Sequence, residues 1–187
     1  MPRSATKNLN NIYKAARLGA GLTGEEAIEE LPVSLSQLNR YEDDGPNGIV
    51  PPPEIVLLMS KVYGAPWLTQ VHCKRKCAIG GAYAFEFLDA IDSNPNAMLA
   101  KLRIELNDSL RIVEKVAGVV VNKKSRENFG ETEWRKFMKA VAQLLRLEHC
   151  IETLKINIGK WTDLVGIVQA HNQHCYNEGL VTNKKTA

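Results

Sequence analysis

The chain is 187 residues long, 44% hydrophobic and 24% charged, and carries a formal net charge of +3. This composition is ordinary for a soluble globular protein with one sizeable domain or two small ones. It argues against a membrane-spanning protein, since no apolar run approaches the roughly 20 residues that cross a bilayer. Residues 1–7 lack the apolar core of a secretion signal. We therefore expect a cytoplasmic protein whose four cysteines remain thiols.

Two short helices joined by a tight turn are predicted between residues 23 and 42. Thr23 is followed three residues later by Glu26, and Ser34 by Gln37, which is the spacing of a capping box at a helix start. Residues 31–34 break the first helix. This arrangement is typical of a helix-turn-helix, whose second helix enters the major groove of DNA. The same spacing also occurs in small helical bundles that have other functions.

Residues 12–68, about a third of the chain, resemble the lambda-repressor-like (Cro/repressor) helix-turn-helix family. The matching positions are Ile12, Ala16-Arg17, Ala20-Gly21-Leu22-Thr23, Glu26, Ala27, Leu31, Val33-Ser34, Leu38, Arg40-Tyr41-Glu42, Pro51-Pro52, Leu58, Val62-Tyr63-Gly64 and Trp67-Leu68. The resemblance implies a five-helix, all-α domain over residues 8–79 and a bacterial or prophage transcriptional regulator. It also implies an ion pair between Arg17 and Glu42. The chain departs from the family at Gly24, where glutamine is frequent, and at Pro32, where glycine is usual.

The resemblance further implies a surface that binds double-stranded DNA. Ser34 and nearby backbone amides would hold phosphates. Outside the resemblance, the basic run Lys74-Arg75-Lys76 either touches phosphates beside the recognition site or is a solvated linker. Arg40 can pair with guanine, Gln37 with adenine and Leu35 with a thymine methyl group. The alternatives are that Gln37 serves only as a helix cap and Leu35 only in the core. The full expected set of DNA contacts is Thr23, Ser34, Leu35, Ser36, Gln37, Asn39, Arg40 and Lys74.

Charge argues against strong DNA binding by one copy of this domain. Residues 8–64 carry four basic and eight acidic side chains, a net charge of −4, whereas residues 65–187 carry 18 basic and 13 acidic ones, a net charge of +5. Phosphate contacts dominate affinity for DNA, so we expect a homodimer that reads two half-sites. The alternative is an adaptor that does not bind DNA and uses a degenerate acidic helix-turn-helix and a helical hairpin to contact proteins.

Long helices are predicted after Gly80-Gly81, which we interpret as a domain boundary. Asn94-Pro95 is a typical helix start, and apolar residues recur at threes and fours over residues 95–122 and 131–158. A shorter third helix precedes a polar tail at residues 177–187. These long helices form a predicted helical assembly domain, residues 82–176. Its apolar stripes are either an internal core or, as we expect, the homodimer interface.

Histidine and cysteine residues cluster without completing a metal site. Cys73 and Cys77 have no second cysteine pair at zinc-ribbon spacing, and the His and Cys side chains within residues 171–175 share a helix face but are too few. We therefore assign no metal and no cofactor. The chain also lacks a glycine-rich phosphate loop and a Ser/His/Asp arrangement, so we expect no enzyme activity. Asp89 and Asp92 are expected to cap a helix or lie on the surface.

Overall fold

The computed structural model describes residues 11–88 and 94–181, and every regular element within them is a helix. The predicted all-α class is therefore confirmed for the described chain. Its elements are α1 (Ile12–Gly19), α2 (Gly24–Glu30), α3 (Leu35–Tyr41), α4 (Pro53–Val62), α5 (Trp67–Lys76), α6 (Ala78–Tyr83), α7 (Pro95–Val120), a 3₁₀ turn (Arg126–Asn128), α8 (Glu131–Ile158) and α9 (Leu164–Asn177). Among them, no helix is both long enough and apolar enough for a membrane crossing. Asp89, Asp92 and residues 182–187 lie outside the described residues.

Helices α1–α5 enclose one apolar core. Leu38 of α3, Met59 of α4 and Leu68 of α5 have no exposed surface, and neither has Ala27 of α2. Tyr13 of α1 packs into the same cluster. Burying one large aliphatic side chain contributes about 1.5–3 kcal/mol to stability. This core holds α2 and α3 against the other three helices, and it determines which residues of α3 face outward.

Asn11 begins α1 and connects it to the end of α3. Its side-chain oxygen accepts hydrogen bonds from the backbone nitrogens of Tyr13 and Lys14, both at 3.0 Å. Its Nδ2 donates to the carbonyl oxygen of Tyr41 at 3.0 Å and to Oδ1 of Asp44 at 3.1 Å. A buried amide with partners on both atoms is a rigid connection. Asn11 therefore fixes the loop that follows α3.

Helices α5 and α6 meet at Gly80, so Gly80-Gly81, which we interpreted from the sequence as a domain boundary, lies within a helix. Both glycines lie inside α6, and a Cβ on Gly80 would stand 1.9 Å from the carbonyl oxygen of Cys73. Only glycine permits so close an approach of two backbones. A Cβ on Gly81 would meet the Lys74 carbonyl oxygen at 3.7 Å, an ordinary contact. The domain bounds at residues 79 and 82 remain predictions.

Residues 84–88, which we call the bridge, lead from α6 towards the long helices. The Phe87 ring stacks on Trp67 of α5, with centroids 6.4 Å apart. On the other side, the Phe85 ring stacks on His149 of α8 at 4.7 Å, with the planes only 12° apart. The His149 Nε2–H also donates to the carbonyl oxygen of the residue after Phe85 at 2.7 Å. The bridge therefore contacts both parts of the molecule.

Helices α7 and α8 form the predicted hairpin. Their bounds agree with the expected ranges of 95–122 and 131–158 to within two residues. Met98 and Val116 of α7 are buried, as are Ala140 and Cys150 of α8. Polar groups share this interface, because the Gln143 side chain donates to a carboxylate oxygen of α7 at 2.9 Å. The contact between the two helices is thus only partly apolar.

The hairpin also exposes a second set of large apolar side chains on its outer surface. We call this set the apolar face, and its members are 41–59% exposed: Leu99, Leu106, Leu110 and Val113 of α7 with Leu144 and Ile151 of α8. Helical periodicity places the four α7 residues on one side of that helix, next to its buried side. Helix α9, the shorter helix that follows the hairpin, buries none of its residues. The apolar face is therefore left open to solvent.

Candidate nucleic-acid interface

The turn between α2 and α3 directs one side of α3 outward. Leu31 is buried at the end of α2, and its carbonyl oxygen accepts a hydrogen bond from Val33 N at 2.8 Å. Ser34 then begins α3, whose inner side is buried through Leu38 and Tyr41. The opposite side exposes Ser36, Asn39 and Arg40. Three of the expected DNA contacts thus share one solvent-exposed surface.

Arg17 and Glu42, the pair that the resemblance implies, form a bidentate ion pair. Arg17 Nε donates to Oε1 of Glu42 at 2.7 Å and Nη2 donates to Oε2 at 2.6 Å, while Nη1 donates to the Leu22 carbonyl oxygen at 2.7 Å. The two side chains are only 10% and 6% exposed. The hydrogen bond to Glu42 raises the pKa of Arg17. This pair connects the end of α1, the start of α2 and the end of α3.

Gln37 caps α3 and is not free to read a base. Its Oε1 accepts hydrogen bonds from Ser34 N at 3.0 Å and from Ser34 Oγ at 3.2 Å, and its own backbone nitrogen donates to Ser34 Oγ at 3.2 Å. A bidentate pair with adenine requires the same oxygen. The expected adenine contact of Gln37 is therefore unavailable while α3 keeps its cap, and Ser34 is engaged as well.

Thr23 has a similar arrangement at the start of α2. Its backbone nitrogen donates to Glu26 Oε2 at 2.7 Å, and its hydroxyl accepts from Glu26 N at 3.2 Å. The hydrogen bond from the Thr23 backbone lowers the pKa of Glu26, so this carboxylate is ionised. An ionised carboxylate at this position repels a phosphate. Thr23 is consequently a poorer phosphate ligand than the sequence suggests.

Leu35 is half-buried, contrary to the expected exposure. A Cβ on Gly24 would lie 3.0 Å from Leu35 Cδ1, so the side chain occupies the space that this glycine leaves. Gly24 stands where the family often has glutamine. Leu35 can therefore pack closely because Gly24 has no side chain, and this packing tightens the contact between α2 and α3.

Arg40 lies at the end of α3, against the loop of residues 43–50. Its Nε donates to the carbonyl oxygen of Asn47 at 3.4 Å, and its own carbonyl oxygen accepts from Ile49 N at 2.9 Å. A side-chain bond of this length is weak. The remaining N–H donors of the Arg40 guanidinium have no partner within the described chain, so they are available to a ligand.

Positive charge lies beside the loop after α3, at residues other than the one expected. Lys74 Nζ donates to the Gly81 carbonyl oxygen at 3.2 Å and is held against α6. Arg75 and Lys76 are exposed, and they line a cleft of about 240 Å³ together with residues 43–44. Consecutive helical residues point about 100° apart, so a run of three cannot share one direction. That geometry shows from the sequence that the three side chains cannot all contact one surface, although it does not say which of them is turned away.

His72 supports the bundle. It is buried, and its Nδ1 is 2.9 Å from the Tyr13 hydroxyl. Burial lowers the pKa of His72, which keeps the ring neutral near pH 7. Cys73 and Cys77 are exposed thiols. Within residues 11–88 and 94–181, no three His, Cys, Asp or Glu side chains of one chain converge as metal ligands.

No family model, curated protein or solved structure matches this chain. The resemblance to the lambda-repressor-like family therefore stays a prediction from the sequence pattern described above. Function is inferred from the exposed side of α3 and from the charges around it.

Proposed function

We propose that this protein is a sequence-specific DNA-binding regulator of transcription, a repressor of bacterial or prophage type that binds operator DNA as a homodimer. The observation that supports this most directly is the exposed side of α3, anchored at both ends. The Ser34–Gln37 cap fixes its start, and the Arg17–Glu42 pair fixes its end. A helix held in this way presents base-reading side chains without a large loss of conformational entropy.

Three side chains carry the proposed base recognition. Arg40 donates two hydrogen bonds to O6 and N7 of guanine, and Asn39 pairs with N6 and N7 of adenine. Ser36 accepts or donates to either kind of base. Each bidentate contact discriminates against a wrong base by about 1–3 kcal/mol. Gln37 and Leu35 have structural roles in this proposal.

Dimerisation compensates for the acidity of the reading domain. With a net charge of −4 over residues 8–64, one domain gains little from the general attraction of DNA. Arg75 and Lys76 supply phosphate contacts beside the loop after α3. Two linked domains raise the effective concentration of the second contact. The apolar face is the surface that we assign to the partner copy.

A binding-site selection with the purified full chain and random duplex DNA tests the proposal. We expect one enriched sequence with two-fold symmetry. Arg40→Ala should lower affinity for that sequence by about 1–3 kcal/mol and relax the preference at one base pair per half-site. Arg111→Ala, at an exposed position of α7, is the matched control and should change neither. Unchanged affinity and preference in Arg40→Ala would exclude base reading by this residue.

The exposed acids favour one second candidate, a protein-binding adaptor. Four glutamates of α2 and two aspartates of the loop after α3 are exposed on the same domain: Glu25, Glu26, Glu29, Glu30, Asp43 and Asp44. A surface of this charge is complementary to a basic protein partner. If the adaptor function is correct, the selection yields no enriched sequence even at low salt, where electrostatic attraction to DNA is strongest.

A further inference from the structure

Helix α9 lacks the packing that normally stabilises a helix of its length. It spans Leu164–Asn177 and buries none of its residues. Val165, Ile167 and Val168 are 41–53% exposed. Isolated helices shorter than about 12–15 residues are marginal in water. The exposed apolar side chains therefore indicate that α9 packs against another surface in the working protein.

One side of α9 combines apolar residues with a histidine and a cysteine, side chains of the types that bind zinc. The residues on this side recur at spacings of four, three and four, which is the pattern of a helix–helix seam: Leu164, Val168, His171 and Cys175. His171 and Cys175 are one turn apart, and Nε2 of the histidine lies 3.6 Å from Sγ of the cysteine. His174 is the next histidine on α9 but makes no such contact with Cys175, so it lies outside the pair.

The separation of these two atoms, which is that of a hydrogen bond between thiol and imidazole, also matches the spacing of two ligands on a tetrahedral zinc ion. With Zn–S near 2.3 Å and Zn–N near 2.1 Å, two tetrahedral ligands lie roughly 3.6 Å apart. A structural zinc site needs four such ligands. The described part of one chain brings no third ligand to the pair. A second copy of the chain would supply the two further ligands.

We propose that the α9 helices of two copies meet across a two-fold axis and share one Zn²⁺ ion. The ligands are Nε2 of His171 and Sγ of Cys175 from each copy. Each cysteine releases its thiol proton to solvent on binding, so two thiolates balance the charge of the ion, and the histidines coordinate as neutral rings. This arrangement also covers Leu164 and Val168. It deepens the proposed function by naming a contact that pairs the two copies.

Zinc alone, added to the chelator-treated and reduced full chain, tests the proposal. After gel filtration, we expect one tightly held zinc ion per two chains and a dissociation constant of the dimer at least tenfold lower than in the metal-free protein. Cobalt in place of zinc should give a thiolate-to-cobalt charge-transfer band and the visible bands of tetrahedral coordination. One zinc ion per chain, or no retained zinc, would overturn the proposal.

Matched variants locate the site. His171→Gln and Cys175→Ser are expected to lose the retained zinc and the cobalt thiolate band, while His174→Gln and the double variant Cys73→Ser/Cys77→Ser keep both. All of these positions are exposed or half-exposed, and circular dichroism checks that helix content is unchanged. Retention of zinc by Cys175→Ser, or its loss in the Cys73/Cys77 variant, would assign the metal elsewhere. None of these readouts uses DNA, so a failed operator selection leaves this inference standing.

Discussion

Among single residues, two buried tyrosines of the bundle offer a matched contrast. The Tyr13 hydroxyl lies 2.9 Å from His72 Nδ1, whereas the Tyr63 hydroxyl is buried with no hydrogen-bond partner in the described chain. Burial raises the pKa of both phenols to about 12. A buried hydroxyl without a partner costs stability, and one that is paired contributes to it.

We therefore predict opposite effects of the same substitution at these two positions. Tyr63→Phe should leave the free energy of unfolding unchanged or raise it by up to about 1 kcal/mol, since it removes an unpaired polar group. Tyr13→Phe should lower it by about 1 kcal/mol or more, because it leaves His72 Nδ1 unpaired. Urea unfolding at pH 7 measures both. Equal destabilisation by the two variants would contradict this account of Tyr63.

The raised pKa values also predict a loss of stability in alkali. Tyrosines of the unfolded chain ionise near pH 10, whereas those of the folded chain resist ionisation until about pH 12. The contribution of these two tyrosines to the free energy of unfolding should therefore be steady below pH 10 and fall as the pH rises from 10 to 12. Tyr63→Phe should reduce that fall. A fall of the same size in wild type and Tyr63→Phe would show that this phenol is not responsible.

The ion pair between Arg17 and Glu42 permits a third test. Arg17→Ala should destabilise the protein by about 3 kcal/mol in urea unfolding, since it leaves a buried carboxylate without a partner. Replacing both residues, as in Arg17→Met with Glu42→Leu, should cost clearly less, because no charge is left buried. Arg40→Ala, an exposed arginine of the same bundle, should change stability by less than about 0.5 kcal/mol. A double variant as unstable as Arg17→Ala would contradict this.

At the scale of helices, the contact between α5 and α6 depends on Gly80. Gly80→Ala should lower the free energy of unfolding by about 1–3 kcal/mol, because its Cβ would overlap the Cys73 carbonyl oxygen and push the helices apart. Gly81→Ala is the control, and it should be neutral or slightly stabilising, since alanine favours a helix where space allows. Thermal unfolding measures the melting temperatures of the two variants. Similar melting temperatures would show that α6 shifts freely.

The same helices mark how far the sequence could predict the fold. The starts at Thr23, Ser34 and Asn94 were predictable because capping uses residues within one turn. The long helices followed from apolar periodicity. Gly80, by contrast, looks in the sequence like part of a flexible hinge. Only the structure, in which it lies against the backbone of Cys73, shows that it has a packing role. Local signals predict where a helix begins, and they do not predict which backbone lies against it.

The candidate site divides in the same way. The exposure of Arg40 could be predicted from the sequence, because Leu38 takes the core position of α3. The packing of Leu35 on Gly24 could not be predicted, because it depends on the distance between α2 and α3. Gln37 satisfied two patterns at once, a capping box and a base-reading position, and sequence alone could not rank them. The structure assigns its oxygen to the cap.

For the molecule as a whole, the apolar face predicts self-association. Leu106→Glu combined with Leu110→Glu should convert a dimer of the metal-free chain into a monomer in light scattering, because it places two charges in an apolar contact. Ile104→Glu, at a 60% exposed position on another side of α7, should leave the dimer intact. The double variant should also lose most operator affinity. A wild-type chain that is monomeric at all concentrations tested would contradict the assigned interface.

The bridge has a consequence for the DNA that such a dimer can use. Because Phe87 stacks on α5 and Phe85 on α8, we expect each α3 of the proposed dimer to keep a set direction relative to the hairpin. Two reading helices held in this way select half-sites at one helical phase. A spacer lengthened by about 5 base pairs turns the second half-site to the far side of the duplex, and one lengthened by about 10 restores its direction. The spacing between the two half-sites would then limit which operators the dimer binds as strongly as the base sequence does.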